Sequence, residues 1–138
     1  MKLTRRAIAD IAEILGGIKI NRIEDKEAKA ALLKDYLAIR KEARQAESDR
    51  DEIIRKFQDD WKDEIPAIGK FRAEGKPVLG HLDYLEAEKD ANKAICDLFS
   101  QEVEIDLAPA RMDAISAFSE DITLEALALL MDNGIIGD

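Results

Sequence analysis

The sequence has little of the residue types that most metal sites and nucleophilic enzymes use. It contains one cysteine and one histidine in 138 residues. A single cysteine cannot form an internal disulfide, so a reducing cytoplasm is the expected compartment. One thiol and one imidazole also cannot build a structural zinc site of the usual Cys/His type. We expect His81 to be a capping or surface residue and Cys96 to be a small core residue, and we predict no cofactor.

Long apolar runs and aromatic residues are scarce too. No run is long enough to cross a bilayer, and the N-terminus lacks the apolar core of a signal peptide, so no membrane association is expected. Aromatic residues make up 5% of the chain, while Ala, Leu and Ile supply most of its apolar side chains. With only three prolines, this composition favours helices packed side by side.

Charged residues are plentiful but unevenly distributed. The net charge is −9, yet residues 1–23 carry five Lys or Arg against two Asp or Glu, and residues 100–138 carry nine Asp or Glu against one Arg. The acidic end would repel phosphate groups, so we expect no nucleic-acid partner. The basic start can pair with this acidic end, either within one chain or between two copies.

A heptad stripe in the middle of the chain is the most informative pattern. Apolar residues recur at alternating spacings of four and three and are interrupted only by Arg50. The stripe predicts a long helix that begins near residues 24–28 and ends near Glu64, because Pro66 opposes its continuation. The predicted seam of this helix consists of Leu32, Tyr36, Ile39, Ala43, Ala46 and Ile53.

A second helix is predicted from Leu82 to Ser100, after a Gly- and Pro-containing turn over residues 65–80. The two helices would form a long antiparallel hairpin in a mainly α fold. The shorter helix spans about 30 Å, roughly half of the longer one, so apolar residues near the turn would be left uncovered. Either the 65–80 segment covers them or another polypeptide does. We predict an interaction surface there, in a homodimer, formed by Phe57, Trp61, Ile65, Ile68 and Phe71.

Shorter elements are predicted before and after the hairpin, within a single domain divided into residues 1–23, 24–101 and 102–138. Thr4 is a plausible N-cap for a helix that ends at Gly16 and Gly17, and residues 18–20 alternate like a short strand. Residues 102–107 alternate strictly between acidic and aliphatic side chains, which predicts a half-buried strand.

The rest of the C-terminal part carries two further helix signals and one open question. The strand over residues 102–107 needs a partner, for which residues 18–20 and 78–79 are the candidates. Pro109 can open a short helix through Met112 and Ile115, and Thr123 is the predicted N-cap of a helix over Leu124–Met131.

Acidic residues in the hairpin raise the possibility of an enzyme. Asp83, Glu86 and Asp90 fall on one helical face, and all-helical nucleotide pyrophosphohydrolases hold Mg²⁺ with Glu and Asp from paired helices. The matching part of the long helix, however, is a mixed-charge surface that includes Arg50 and Arg55. A solvated charged face without a metal is therefore the favoured interpretation.

Several segments resemble a family of small phage- and prophage-encoded helical proteins of unknown function. They are Met1–Thr4 with the first helix, the charged helix around Tyr36 to Arg50, Val103–Leu107 and Ile122–Leu127. Residues 62–80 depart from the family pattern, because they are longer and more apolar. The resemblance implies a bacterial host cell, a phage or prophage gene near virion or assembly genes, and virion or host proteins as partners. It supplies no catalytic residues.

These observations predict a non-enzymatic protein–protein interaction or assembly protein that associates with itself. Two alternatives stay open. The chain could be an acidic binder that regulates or inhibits a host protein, with a C-terminal charge that resembles that of DNA. It could also be the Mg²⁺-dependent, pyrophosphohydrolase-like enzyme considered above.

Overall fold

The computed structural model describes residues 1–19, 23–78, 80–111 and 122–137 and is mainly helical. The chain divides into two compact units, the first formed by Met1–Gln45 with Ser100–Asp138 and the second by Ala46–Phe99. This division differs from the three predicted segments, because the long helix contributes to both units. In chain order the elements are β1 (Lys2–Thr4), α1 (Arg5–Gly16), α2 (Lys26–Asp60), α3 (Ile65–Ala73), α4 (Leu82–Ser100), β2 (Glu102–Glu104), β3 (Ala110–Arg111), α5 (Leu124–Asp132) and β4 (Ile136–Gly137).

Both predicted N-caps of the first unit are confirmed. The Thr4 hydroxyl accepts a hydrogen bond from the Ala7 amide at 3.1 Å, and the Thr123 hydroxyl accepts one from the Ala126 amide at 3.1 Å. Each bond satisfies an amide that has no partner within its own helix. The ends of α1 at Gly16 and of α5 before Asn133 also agree with the predicted stops.

The acidic and aliphatic alternation produces a strand over Glu102–Glu104 only, half of the predicted residues 102–107, and with an unexpected partner. β2 pairs antiparallel with β1, with Leu3 opposite Val103, and the Ile105 amide donates to the Met1 carbonyl at 2.9 Å. Glu104 is exposed and Ile105 is buried, as the alternation predicted. The predicted partners, residues 18–20 and 78–79, were wrong, because β1 pairs with β2 and Ile18, Lys19 and Val78 form no strand; Ile20 and Leu79 lie outside the described residues. The actual partner, β1, has only three residues and ends at the N-cap of α1, so it is too short for an alternating pattern to be recognised in the sequence.

The helix predicted to open at Pro109 is wrong over its first two residues. Ala110–Arg111 forms β3, which pairs parallel with β4, and the Ala110 amide donates to the Ile135 carbonyl at 2.9 Å. This pairing with a distant segment overrides the local helix signal. Met112 and Ile115, which would continue that helix, lie outside the described residues.

The core of the first unit is formed by buried apolar side chains from its helices, its strands and the segments between them. The beginning of α2 packs into it through Leu32 and Ile39, while Tyr36 and Ala43 are partly buried against it. The first part of the predicted seam therefore meets α1, the strands and α5 of its own unit. The fully or nearly buried apolar members are Leu3, Ile8, Ile11, Leu15, Ile23, Ala28, Leu32, Ile39, Ile105, Ala110, Leu130, Ile135 and Ile136.

One carboxylate lies inside this core. Asp35 is 0% exposed, and its Oδ1 accepts a hydrogen bond from the Ala108 amide at 2.9 Å. Its Oδ2 has no hydrogen-bond partner. Burial raises the pKa of Asp35, and the Ala108 hydrogen bond only partly opposes this effect. The side chain thus links α2 to the segment that follows β2.

The second unit consists of the end of α2, together with α3 and α4 as far as Phe99. The bounds of α4 are those predicted, Leu82 and Ser100. The segment predicted as a turn is wrong in its first part, because Ile65–Ala73 is helical. Pro66 lies in the first turn of α3, where the amide that proline lacks would have had no partner within the helix. Proline therefore marks the start of α3, and α2 already ends at Asp60, before the end predicted near Glu64.

Candidate interaction surface

Aromatic side chains of the second unit cover one another around Tyr84. The Tyr84 ring lies 5.3 Å from that of Phe57 and 5.7 Å from that of Trp61, measured between centroids. Tyr84 itself is 5% exposed. Apolar residues near the turn, among them Ile53, Phe57 and Trp61, were expected to be left uncovered by the shorter helix, which is wrong. All three side chains are partly buried, so the original reason for placing a dimer interface at them is lost.

The α3 helix contributes one buried and two partly buried apolar side chains to this unit. Ile68 is 1% exposed and belongs to the interior, so its assignment to an interaction surface is corrected; Ile65 and Phe71 are partly buried. Arg72 donates to both oxygens of Glu88, at 2.7 and 3.0 Å, and this paired bond joins α3 to α4. The Arg72 guanidinium lowers the pKa of the Glu88 carboxyl.

The side chains considered for chemistry are dispersed in this unit. Cys96 is exposed, so its prediction as a core residue is wrong. The His81 ring is partly buried and lies 6.1 Å from the Phe71 ring. Asp83 and Glu86 are exposed. Across the described residues, no three imidazole, thiol or carboxylate side chains lie close enough together to hold a metal ion.

A surface groove in the first unit lies between the end of α1 and the beginning of α2. Its volume is about 180 Å³. Two large apolar side chains of α2 are exposed here. Leu33 lines the groove and is 49% exposed, and Leu37, one turn further along α2, is 53% exposed. Sequence reasoning missed them because they lie outside the heptad stripe, although two leucines four residues apart were a usable signal. The groove is lined by Leu15, Gly16, Ile18, Leu32, Leu33 and Tyr36.

The charge around the two leucines is of one sign. We call the exposed side chains Leu33, Lys34, Leu37, Lys41 and Arg44 the basic leucine face. Spacings of four and three residues place its members on the same side of α2. Between positions 28 and 44 the acidic residues are the buried Asp35 and the half-buried Glu42, which is five residues from Leu37 and therefore on another side of α2. The face therefore combines apolar contact area with a net positive charge.

A second exposed apolar surface of the same unit has the opposite charge. We call Leu124, Glu125, Ala128, Met131 and Asp132 of α5 the acidic α5 face; all five are exposed, Leu124 at 85% and Met131 at 43%. Its apolar members follow spacings of four and three residues, which form one stripe along a helix. No basic residue occurs between positions 122 and 137.

Comparison with protein-family models, with curated proteins and with solved structures gave no match. None of the helices within the described ranges is both long enough and apolar enough to cross a membrane.

Proposed function

We propose that this chain is a non-enzymatic interaction protein whose copies associate through the first unit. The observation that supports this proposal is the exposure of Leu33, which lines an apolar groove that is already formed, and of Leu37 one turn further along α2. Large apolar side chains in water are common singly, but a pair beside such a groove is typical of a binding surface. A partner that covers them removes apolar area from water without a rearrangement of the core.

The buried and paired carboxylates support a structural rather than a catalytic use of acidic residues. Asp35 receives an amide hydrogen bond within the first core, and Glu88 pairs with Arg72. Both interactions join separate segments of the chain. The acidic side chains that had suggested a hydrolase, Asp83, Glu86 and Asp90, are solvent-exposed.

Sedimentation equilibrium at micromolar concentration tests this proposal. The wild type is expected to show a mass of at least twice the 15.4 kDa of one chain, and the double variant Leu33→Ser/Leu37→Ser is expected to sediment as a monomer. A matched control, Ile54→Ser/Leu82→Ser, removes two exposed apolar side chains of the second unit and should leave association intact.

Two outcomes would contradict the proposal. A wild type that stays at 15.4 kDa up to high micromolar concentration has no self-association to explain. Dissociation by the control but not by the Leu33 and Leu37 changes would move the interface to the second unit, near the surface first predicted from the sequence.

We further propose, on the resemblance to phage- and prophage-encoded proteins, that this association serves phage or prophage assembly. The neighbouring genes test this part. Virion structural or assembly genes on either side are expected, and neighbours from an unrelated bacterial operon would count against the phage context.

A further inference from the structure

We infer that the basic leucine face of one copy binds the acidic α5 face of a second copy. This inference rests on the proposed function and names its contact. Both faces belong to the first unit, and each presents apolar side chains to solvent within a single chain. They are therefore not already used against each other in the same copy.

The apolar parts of the two faces are both short stripes along a helix. Leu124, Ala128 and Met131 form a stripe about 10 Å long on α5, and the leucines of α2 are separated by about 6 Å along their helix. A stripe at this spacing is what an amphipathic helix lays against an apolar groove. The groove beside Leu33 is open to receive one side chain of the stripe.

The charges at the borders of these faces are complementary. Lys34, Lys41 and Arg44 border the leucines on α2, while Glu125 and Asp132 border the apolar stripe on α5. Exposed charges of opposite sign steer two surfaces together and fix their orientation. Pairing like faces would instead place three cations against three cations, so the complementary pairing is favoured.

The same observations favour a second copy over an anionic membrane. A lipid surface would attract Lys41 and Arg44 but would leave Leu124 and Met131 in water, because the acids beside them are repelled by anionic headgroups. A second copy covers both faces.

Charge reversal with mixing tests this contact. One variant carries Lys41→Glu and Arg44→Glu, and the other carries Glu125→Lys and Asp132→Lys. Each variant alone opposes like charges at the contact and is expected to self-associate at least about tenfold more weakly than the wild type. An equimolar mixture should regain association, because each altered face then meets a face of the opposite charge.

Two controls accompany the mixing experiment. Lys89→Glu/Lys93→Glu and Asp59→Lys/Asp60→Lys make the same charge changes at exposed positions of the second unit and should leave the dissociation constant unchanged. Circular dichroism of every variant verifies that helical content is retained.

The outcomes separate this inference from the proposed function. If the wild type associates but the reversed variants associate equally well alone, or do not recover on mixing, the α5 contact is wrong and the interaction function stands. If the wild type is a monomer, the proposed function itself fails. If the monomer binds phosphatidylserine vesicles through Lys41 and Arg44, the basic leucine face binds an anionic membrane and not a second copy.

Discussion

The buried Asp35 gives the sharpest prediction about the stability of this fold. Replacing it with alanine leaves the Ala108 amide, now bonded at 2.9 Å, without its acceptor. An unsatisfied buried donor costs about 1–3 kcal/mol. Removal of a desolvated carboxylate offsets part of this loss, because its Oδ2 has no partner. Asp35→Asn keeps an acceptor oxygen and is expected to be less destabilising than Asp35→Ala at neutral pH.

The pH dependence of the same variants has a defined sign. Burial raises the pKa of Asp35 above its ordinary value of 3.8, so the folded protein binds more protons than the unfolded chain just above that pH. The stabilising contribution of Asp35 is therefore complete below 3.8 and is lost as pH rises through the raised pKa. Between pH 3.8 and the raised pKa, the free energy of unfolding of the wild type should therefore fall relative to that of Asp35→Asn.

Urea unfolding across a pH series measures both effects. Asp10→Asn, at an exposed position of α1, is the matched control for the loss of one carboxylate away from the core. A wild type that gains stability relative to Asp35→Asn as pH rises would refute the reasoning, since the folded-state pKa of Asp35 would then have to be lowered. Equal free energies of unfolding for Asp35→Ala and the wild type would show that the Ala108 hydrogen bond gives the fold no net stabilisation.

Three further predictions concern the remaining contacts. Arg72→Gln should raise the pKa of the Glu88 carboxyl toward its ordinary value, because the guanidinium lowers it; carboxyl ¹³C titration would show an unchanged pKa if the pair does not form. Ile68→Ala should destabilise the chain by about 2–5 kcal/mol in urea unfolding, since this side chain is 1% exposed, and an effect as small as that of Ile54→Ala would contradict its burial. Thr123→Ala should cost about 1 kcal/mol through loss of the α5 cap, and an unchanged melting curve would argue against that hydrogen bond.

Local signals account for most of what the sequence could predict. A hydroxyl before a helix satisfies an amide three residues later, so Thr4 and Thr123 define helix starts without reference to the rest of the chain. The bounds of α4 follow from its periodicity in the same way. The buried side of α2 was also predictable, since Leu32 and Ile39 repeat at helical spacing.

Contacts between distant segments could not be predicted. β1 carries no strand pattern of its own, and only its pairing with β2 holds it extended. The register of α4 on α2 depends on Tyr84 meeting Phe57 and Trp61, which helix periodicity alone does not specify. The basic leucine face lies off the stripe that defines the core, so the heptad pattern does not identify Leu33.

Concentration-dependent ¹H–¹⁵N NMR spectra of the wild type test the central claim most directly. Between dilute and high micromolar protein, amide signals of residues 33–44 and 124–132 should shift or broaden, because these segments carry the two faces that meet between copies. Signals of residues 82–100 in α4 should stay fixed. Spectra that do not change with concentration, or changes confined to residues 57–71 and α4, would contradict association through the first unit.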